Sequence, residues 1–158
     1  IASGGSAGGH LAACTALADA PDAAGEDTSV SCAPKCLVLF NPVLSLADDA
    51  PAAQSMQDAA MGRRISPLLH LHADWPPAIC FYGADDKFFR YDGSRFAEAA
   101  RQCGADVRLV VYREQGHGFF NRPPYLQRTI RAADAFLVEM GYLQGESGVT
   151  DETPMAMA

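Results

Sequence analysis

Short apolar segments that alternate with helical segments are the feature of this sequence that most constrains its fold. The apolar segments are residues 36–40, 76–83 and 107–112, and the segments of helical character are residues 7–17, 47–64, 92–103 and 124–140. Strands that are apolar on both faces and joined by helices pair in parallel through right-handed crossovers. The sequence therefore predicts an α/β fold with a parallel sheet flanked by helices.

A glycine- and serine-rich segment precedes the first of these helices. Residues 4–8 read G-G-S-A-G, a G-x-S-x-G box that places a serine on a sharp turn between a strand and a helix. Such a turn holds the serine in a strained backbone conformation, and side chains on its two flanks would collide with the neighbouring chain. Ser6 is therefore a candidate nucleophile. A box of this kind arises by chance in about one chain in twenty of this length, so its weight depends on the residues downstream.

Two downstream segments carry the other residues that a serine nucleophile needs. Asp85 and Asp86 follow the apolar stretch that ends at Gly83, where ligand sites of open α/β sheets gather. Their alternative interpretation is an acidic turn that caps the next helix. His117 lies between two glycines in a loop after residues 107–112, so it has no helix face to belong to. The order serine, aspartate, histidine is that of the α/β-hydrolase triad.

At these residues the chain resembles the α/β-hydrolase superfamily, in particular its bacterial esterase and lipase branch, which is acetyl-xylan-esterase-like. Residues 3–10, 82–86 and 116–121 are similar to that branch's nucleophile elbow, H-G-T-x-D segment and G-H-G-F histidine loop, and residues 65–68 to a further recurrent piece. The resemblance runs from residue 1 to about residue 140. It implies a partial catalytic domain over 1–140 and leaves 141–158 as a polar, flexible tail.

The resemblance also implies roles for individual residues. His117 would take the proton of the Ser6 hydroxyl, and Asp86, with Asp85 in a variable position before it, would hold the imidazole in its working tautomer. Ser6 would then attack an ester carbonyl and form an acyl-enzyme that water releases. The backbone N–H of Ala7 would supply one donor of the oxyanion hole.

The expected substrate is a small ester. Phe88, Phe119 and Phe120 indicate an apolar acyl or alcohol pocket, and we take Gly5, Phe119 and Phe120 as the predicted substrate-binding residues. The resemblance implies a short-chain carboxylesterase, with acetyl or carbohydrate esters as the expected substrates. Two alternatives stay open: a prolyl-oligopeptidase-type serine peptidase, which has the same triad order, and a catalytically incompetent fragment or binding module.

The position of the box departs from the family pattern. In the resembled family the second oxyanion donor comes from a loop upstream of the elbow, often H-G-G-G, whereas only Ile1, Ala2 and Ser3 precede the box here. We therefore expect the strands before the elbow and the second donor to be missing, either because the chain is a fragment of a longer enzyme or because it is a reduced hydrolase. The elbow strand would then have an exposed edge, which favours a homodimer or poor solubility.

Charge and composition limit the partners. A net charge of -7 without clustered Lys and Arg argues against nucleic acid and anionic membranes, and a small or neutral substrate fits better. We expect no cofactor and no metal: His70 and His72 could share one face of an extended stretch but lack a third ligand, and the five cysteines show no C-x-x-C spacing. His10 is interpreted as structural or as a support of the site, in preference to a catalytic role. The sequence as given has neither a membrane-spanning run nor a signal peptide, so the compartment is undetermined.

Overall fold

In the described part of the chain, four parallel strands form one sheet and follow each other across it in chain order. A computed structural model describes residues 1–17, 24–27, 29–47 and 49–150. The strands are β1 (Ala2–Gly5), β2 (Leu37–Phe40), β3 (Ala78–Gly83) and β4 (Val107–Tyr112). Their pairing is parallel throughout, with Gly5 opposite Phe40 and Phe40 opposite Phe81. The predicted parallel sheet is confirmed, and its register brings the carboxyl ends of the strands to one edge.

Helices lie between these strands and after the last of them along the chain. The α-helices are α1 (Ala7–Cys14), α2 (Ala59–Arg64), α3 (Ser94–Cys103) and α4 (Tyr125–Glu139). Shorter turns of 3₁₀ helix cover Ala53–Ser55, Pro67–Leu69 and Phe119–Asn121, and a π-helical turn covers Phe89–Gly93. No helix within the described ranges combines the length and the apolar character that crossing a bilayer requires.

The core lies mainly on the face of the sheet that packs against α1 and α3. Leu37, Leu39 and Cys80 of the two central strands are at most 1% exposed and join one apolar cluster with Ala13 and Phe96 of those helices. Each large apolar side chain buried in this way stabilises the fold by roughly 1.5–3 kcal/mol. The central position of β2 and β3 explains why their sequences are continuously apolar.

Several sequence-based boundaries differ from the structure. The first helix ends at Cys14 and not at residue 17, and the Thr15 hydroxyl bonds back to the Ala12 carbonyl oxygen at 2.7 Å just after it. The helix expected over 92–103 begins earlier, as the π-helical turn Phe89–Gly93, and becomes α-helical at Ser94. Between α1 and β2, residues 18–23 and 28 lie outside the described residues, and the described residues there contain neither helix nor strand.

The expectation of an extended stretch through His70 and His72 is wrong. His70 follows the 3₁₀ turn Pro67–Leu69, and its Nε2 lies 2.9 Å from the carbonyl oxygen of Arg63. The His72 ring meets Trp75 edge to face, with centroids 5.8 Å apart. Both side chains are exposed, and neither residue lies in a strand.

The chain divides into two compact units, Ile1–His117 and Gly118–Ala158. The first unit holds the whole sheet and α1 to α3, and the second holds α4. In the second unit the Ser147 hydroxyl donates to the carboxylate of Asp134 on α4 at 2.5 Å. Residues 151–158 of the predicted tail lie outside the described residues.

Candidate active site

Ser6 occupies the turn between β1 and α1 in an unusual backbone conformation. Its φ is 55° and its ψ is -119°, a combination that a residue with a side chain rarely adopts. The surrounding backbone holds it there, because the Ser6 N–H donates to the Phe40 carbonyl oxygen at 2.9 Å and the Ser6 carbonyl oxygen accepts from the His10 N–H at 3.1 Å. The strained turn points the serine away from both the strand and the helix, as a nucleophile elbow requires.

Close approach of the chain to itself explains the glycine at position 4. A Cβ on Gly4 would lie 2.3 Å from the carbonyl oxygen of Gly8 and 2.8 Å from the nitrogen of Gly9. A backbone carbonyl cannot move aside as a flexible side chain can. The first turn of α1 therefore folds back onto β1 only when position 4 lacks a side chain.

Ser6, His117 and Asp86 form one continuous line of hydrogen bonds. The Ser6 Oγ lies 2.8 Å from His117 Nε2, and His117 Nδ1 lies 2.9 Å from Asp86 Oδ2. An ionised carboxylate can only accept, so Nδ1 carries the imidazole proton and Nε2 is left to accept the proton of the serine hydroxyl. The fold thereby brings Ser6 into contact with His117, which lies 111 positions later in the sequence.

The environment of Asp86 distinguishes it from its neighbour Asp85. The Asp86 carboxylate is fully buried, whereas 36% of the His117 side chain is exposed. Asp86 Oδ1 also accepts from the Phe88 N–H at 3.0 Å, so the acidic turn orders the following backbone as well as contacting the histidine. Asp85 is exposed, and its N–H donates to the Gln115 carbonyl oxygen at 2.9 Å. The acid that meets His117 is therefore the one the family resemblance selects.

The loop that carries His117 packs on the end of β3. A Cβ on Gly83 would lie 2.0 Å from the Gln115 carbonyl oxygen, so only glycine leaves room for this loop. On its other side His117 meets the ring of Phe88, with centroids 5.2 Å apart. The histidine is thus held by backbone packing and by an aromatic neighbour as well as by its two hydrogen bonds.

Asn41 belongs to the same cluster, although no motif singled it out. It follows β2 directly, is 0% exposed, and its Nδ2 donates to Asp86 Oδ2 at 2.5 Å. Its position in the sequence could have identified it, because an amide directly after a buried strand lies at the same sheet edge as Ser6 and Asp86. Beneath it, the fully buried hydroxyl of Tyr82 donates to the Pro42 carbonyl oxygen at 2.6 Å.

A second carboxyl group, that of Asp92, is buried in the same unit. It is 0% exposed, and neither carboxylate oxygen makes a hydrogen bond of ordinary geometry to another described residue. Burial raises the pKa of Asp92 from 3.8 to about 7, and the charge of Asp86 adds to the increase, while the nearby amides of Leu44 and Ser45 offset part of it. Sequence reasoning missed this group because it treated residue 92 only as the beginning of a helix.

The remaining predicted site residues lie in different surroundings. Ala7 begins α1, so its N–H has no acceptor within the helix and is available to a ligand. Gly5 is half-buried at the end of β1. In the second unit the Phe119 ring is buried and meets Phe120 and Tyr125 edge to face, with centroids 6.2 Å and 5.6 Å away. Substrate binding by Gly5, Phe119 and Phe120 stays a prediction.

His10 connects α1 to a distant loop. Its Nε2 lies 2.8 Å from the Ile65 carbonyl oxygen and 3.1 Å from the Cys14 sulfur. Burial lowers the pKa of His10 and raises the pKa of the Cys14 thiol to about 11, so both groups are held uncharged. Among the described residues, His, Cys, Asp and Glu side chains form no group of three that could hold a metal ion.

Residues 1–121 match the family model of the alpha/beta hydrolase fold. The chain belongs to the alpha/beta hydrolase family. The match includes β1 to β4 and all three residues of the Ser6–His117–Asp86 line.

Solved structures extend this comparison. The hydrolase is similar to the apo form of Thermogutta terrifontis esterase 2, with a TM-score of 0.80, 37% identity, and coverage of 91% of this chain and 56% of that one. The propionate-bound structure of the same esterase gives a TM-score of 0.78 and 37% identity, with coverage of 92% and 57%. The hydrolase therefore spans a little over half of that esterase.

A curated plant protein is also similar to the hydrolase. The probable isoprenylcysteine alpha-carbonyl methylesterase of Arabidopsis thaliana is 29% identical over 137 residues, which cover 72% of this chain and 29% of the plant protein. The hydrolase thus spans under a third of that relative.

Proposed function

We propose that this alpha/beta hydrolase is a serine ester hydrolase that acts on short-chain carboxylic esters, acetyl and carbohydrate esters among them. The observation that carries the proposal is the continuous line of hydrogen bonds from Ser6 Oγ through His117 to Asp86, with distances of 2.8 Å and 2.9 Å. A serine hydroxyl becomes a useful nucleophile only when a base is in hydrogen-bond contact with it and a third group orients that base.

Acylation follows from these contacts. Ser6 Oγ attacks the ester carbonyl carbon while its proton passes to His117 Nε2, and the carbonyl electrons move onto the oxygen. Asp86 accepts from Nδ1 and stabilises the imidazolium that forms. The tetrahedral intermediate then collapses, the carbon–oxygen bond to the alcohol breaks, and the leaving oxygen takes the proton from Nε2. The product of this half-reaction is an ester of Ser6 and a free alcohol.

Deacylation repeats the sequence with water. His117 Nε2 accepts a proton from water, the resulting hydroxide attacks the acyl carbon, and Ser6 Oγ leaves with the proton that His117 returns. The backbone N–H of Ala7 at the beginning of α1 is the donor that we assign to the developing oxyanion. An amide at a helix N-terminus suits this role because it has no internal acceptor and adds the positive end of the helix dipole.

Small acyl groups are the favoured substrates. Solved forms of T. terrifontis esterase 2, which are 37% identical to this chain, are named as propionate-bound and butyrate-bound. The net charge of -7 also disfavours anionic substrates. We therefore place the acyl chain at two to four carbons and leave the alcohol to experiment.

Hydrolysis of p-nitrophenyl esters tests the proposal. Acetate, propionate, butyrate and octanoate esters are compared on the 158-residue chain and on Ser6→Ala, which removes the nucleophile. We expect Ser6-dependent hydrolysis that declines at octanoate. Equal rates for the two proteins would contradict esterase activity in this chain and favour the alternative of a binding module.

A covalent probe gives an independent readout. T. terrifontis esterase 2 has been solved phosphoramylated by tabun and phosphorylated by paraoxon, so an organophosphorus reagent is a suitable probe. We expect one adduct per chain by intact mass, located on Ser6 by peptide mapping and missing in Ser6→Ala. A prolyl p-nitroanilide tested in parallel separates the esterase from the peptidase alternative, since only a peptidase cleaves the amide at a comparable rate.

A further inference from the structure

The Asn41 side chain is buried beside the candidate acid and does not act in the mechanism above. It is 0% exposed, and Nδ2 donates to Asp86 Oδ2 at 2.5 Å. Its backbone has a φ of +43°, and its N–H donates to the Phe81 carbonyl oxygen at 2.7 Å. The end of β2 is therefore anchored to β3 by the backbone and to the candidate site by the side chain.

The fold alone does not account for an asparagine at this position. A positive φ is adopted most easily by glycine, which would keep the backbone and bury no polar group. The Asn41 amide is instead fully buried, and its Oδ1 finds no hydrogen-bond partner among the residues that the structure describes. A buried polar group that is only partly satisfied destabilises a protein, so the bond that Nδ2 does make requires an explanation.

That bond completes the coordination of the carboxylate. Oδ2 of Asp86 accepts from both Asn41 Nδ2 and His117 Nδ1, and Oδ1 accepts from the Phe88 N–H at 3.0 Å. Three donors from three different segments determine the plane of the carboxylate. Without Asn41, Oδ2 would keep only His117 as a partner within the described ranges, and rotation of the carboxylate would no longer be opposed on that side.

We propose that Asn41 is a positioning residue of this hydrolase: its amide holds Asp86 Oδ2 in line with His117 Nδ1 and so keeps Nε2 directed at Ser6. The inference rests on the proposed function, because it assigns Asn41 to the hydrogen-bonded line that carries that function. It makes Asn41 a fourth member of the line, one that acts through Asp86 and does not touch the substrate.

Two substitutions separate this role from a structural one. Asn41→Gly retains access to positive φ but removes the donor and the side-chain volume. Asn41→Asp retains the volume and tolerates positive φ, but an ionised carboxylate repels Asp86 and a protonated one shares a proton with it, so both forms weaken the Asp86–His117 pair. If Asn41 serves only the backbone conformation, both variants should keep the wild-type kcat. If it only fills volume, Asn41→Asp alone should keep it. The positioning role predicts that both variants lose kcat.

Kinetics and proton NMR measure the outcome on the 158-residue chain. With p-nitrophenyl acetate we expect kcat to fall about 10- to 100-fold in both variants with KM nearly unchanged, the range expected for a lost hydrogen bond to a charged group. The downfield proton resonance of His117 Nδ1–H, assigned by its loss in a His117→Gln variant, should shift or broaden in both. Wild-type kcat and an unshifted resonance in either variant would overturn the proposal.

The NMR measurement also separates this inference from the proposed function. If the wild-type chain hydrolyses esters no faster than Ser6→Ala, the proposed function fails for this chain. The His117 Nδ1–H resonance then tests the positioning role without any activity measurement. An unchanged signal in Asn41→Gly overturns that role, and a shifted signal in both variants supports it. Thermal unfolding midpoints of all variants show whether a lost signal reflects the site or loss of the fold.

Discussion

The ring of Phe88 meets the imidazole of His117 edge to face, with centroids 5.2 Å apart and planes inclined by 62°. The backbone N–H of the same residue donates to Asp86 Oδ1 at 3.0 Å. Phe88 therefore contacts both partners of the Asp86–His117 pair, one through its side chain and the other through its main chain. A substitution at position 88 can remove the first contact and leave the second intact.

We predict that Phe88→Leu slows ester hydrolysis about three- to tenfold, the range expected for loss of one aromatic contact. The matched control is Phe96→Leu, because Phe96 is 1% exposed and meets Trp75 edge to face in the core. Both variants should lose similar thermal stability, but only Phe88→Leu should lose kcat. Equal kcat losses would mean that the effect at Phe88 is one of general stability.

The neighbouring acids Asp85 and Asp86 offer a second matched pair. Asp86→Asn replaces the acceptor of His117 Nδ1 with an amide that can favour the wrong imidazole tautomer, and we expect kcat to fall by about 10³- to 10⁴-fold. Asp85 is exposed, and its contact with Gln115 uses the backbone N–H, so Asp85→Asn should keep kcat within twofold. Rates of p-nitrophenyl acetate hydrolysis and of organophosphorus labelling check both. A large loss in Asp85→Asn would contradict the assignment of the acid.

The two outer glycines of the G-x-S-x-G box should respond differently to alanine. At Gly4 a Cβ would lie 2.3 Å from the Gly8 carbonyl oxygen, so Gly4→Ala must displace α1 and with it Ser6. A displacement of this kind costs roughly 100-fold in rate. At Gly8 a Cβ would meet nothing within 4 Å, so Gly8→Ala should keep activity and stabilise α1 by about 0.5–1 kcal/mol. Probe labelling and thermal melts distinguish the two, and equal losses would refute the steric explanation.

Much of the fold could be predicted from the sequence because its central strands are buried on both faces and are therefore continuously apolar. β2 and β3 are apolar on both faces since they are the central strands, and β4 was predicted with its observed bounds. Helix ends were less accessible because they depend on single local contacts. Thr15 bonds back to Ala12 just after α1, and Gly93 allows the π-helical turn to approach the Tyr82 ring, where a Cβ would lie 2.7 Å from a ring carbon.

Some residues of the candidate site could be predicted from the sequence, and others could not. Ser6, Asp86 and His117 lie in local patterns with recognisable neighbours, and the structure brings these residues into contact. Asn41 and Asp92 lie in no such pattern, because what distinguishes them is burial beside Asp86, a property of the tertiary structure. A buried amide after a strand and an acid at the beginning of a helix are ordinary in sequence, so their roles appear only when the segments are assembled.

Burial of Asp92 predicts a pH dependence of stability. Its pKa is raised by burial from 3.8 to about 7, so between these values the folded state binds a proton that the unfolded state releases. The contribution of Asp92 to the free energy of unfolding is therefore largest below about pH 4 and is lost as pH rises through 7. The loss is on the order of 3 kcal/mol between about pH 5 and 9. Above that range the carboxylate is ionised in both states and the dependence ends.

Asp92→Asn isolates this contribution, because asparagine keeps the shape of the side chain but cannot ionise. We expect the free energy of unfolding in urea to decline from about pH 5 to 9 in the wild type more than in Asp92→Asn, so that the variant gains relative stability as pH rises. Glu98→Gln serves as the control. Glu98 is exposed, and its hydrogen bond with Arg101 lowers the pKa of its carboxyl. Its contribution to the free energy of unfolding therefore increases with pH, and it does so at acidic pH, below the ordinary pKa of a glutamate. Parallel curves for the wild type and Asp92→Asn between about pH 5 and 9 would contradict a protonated Asp92 in the folded state.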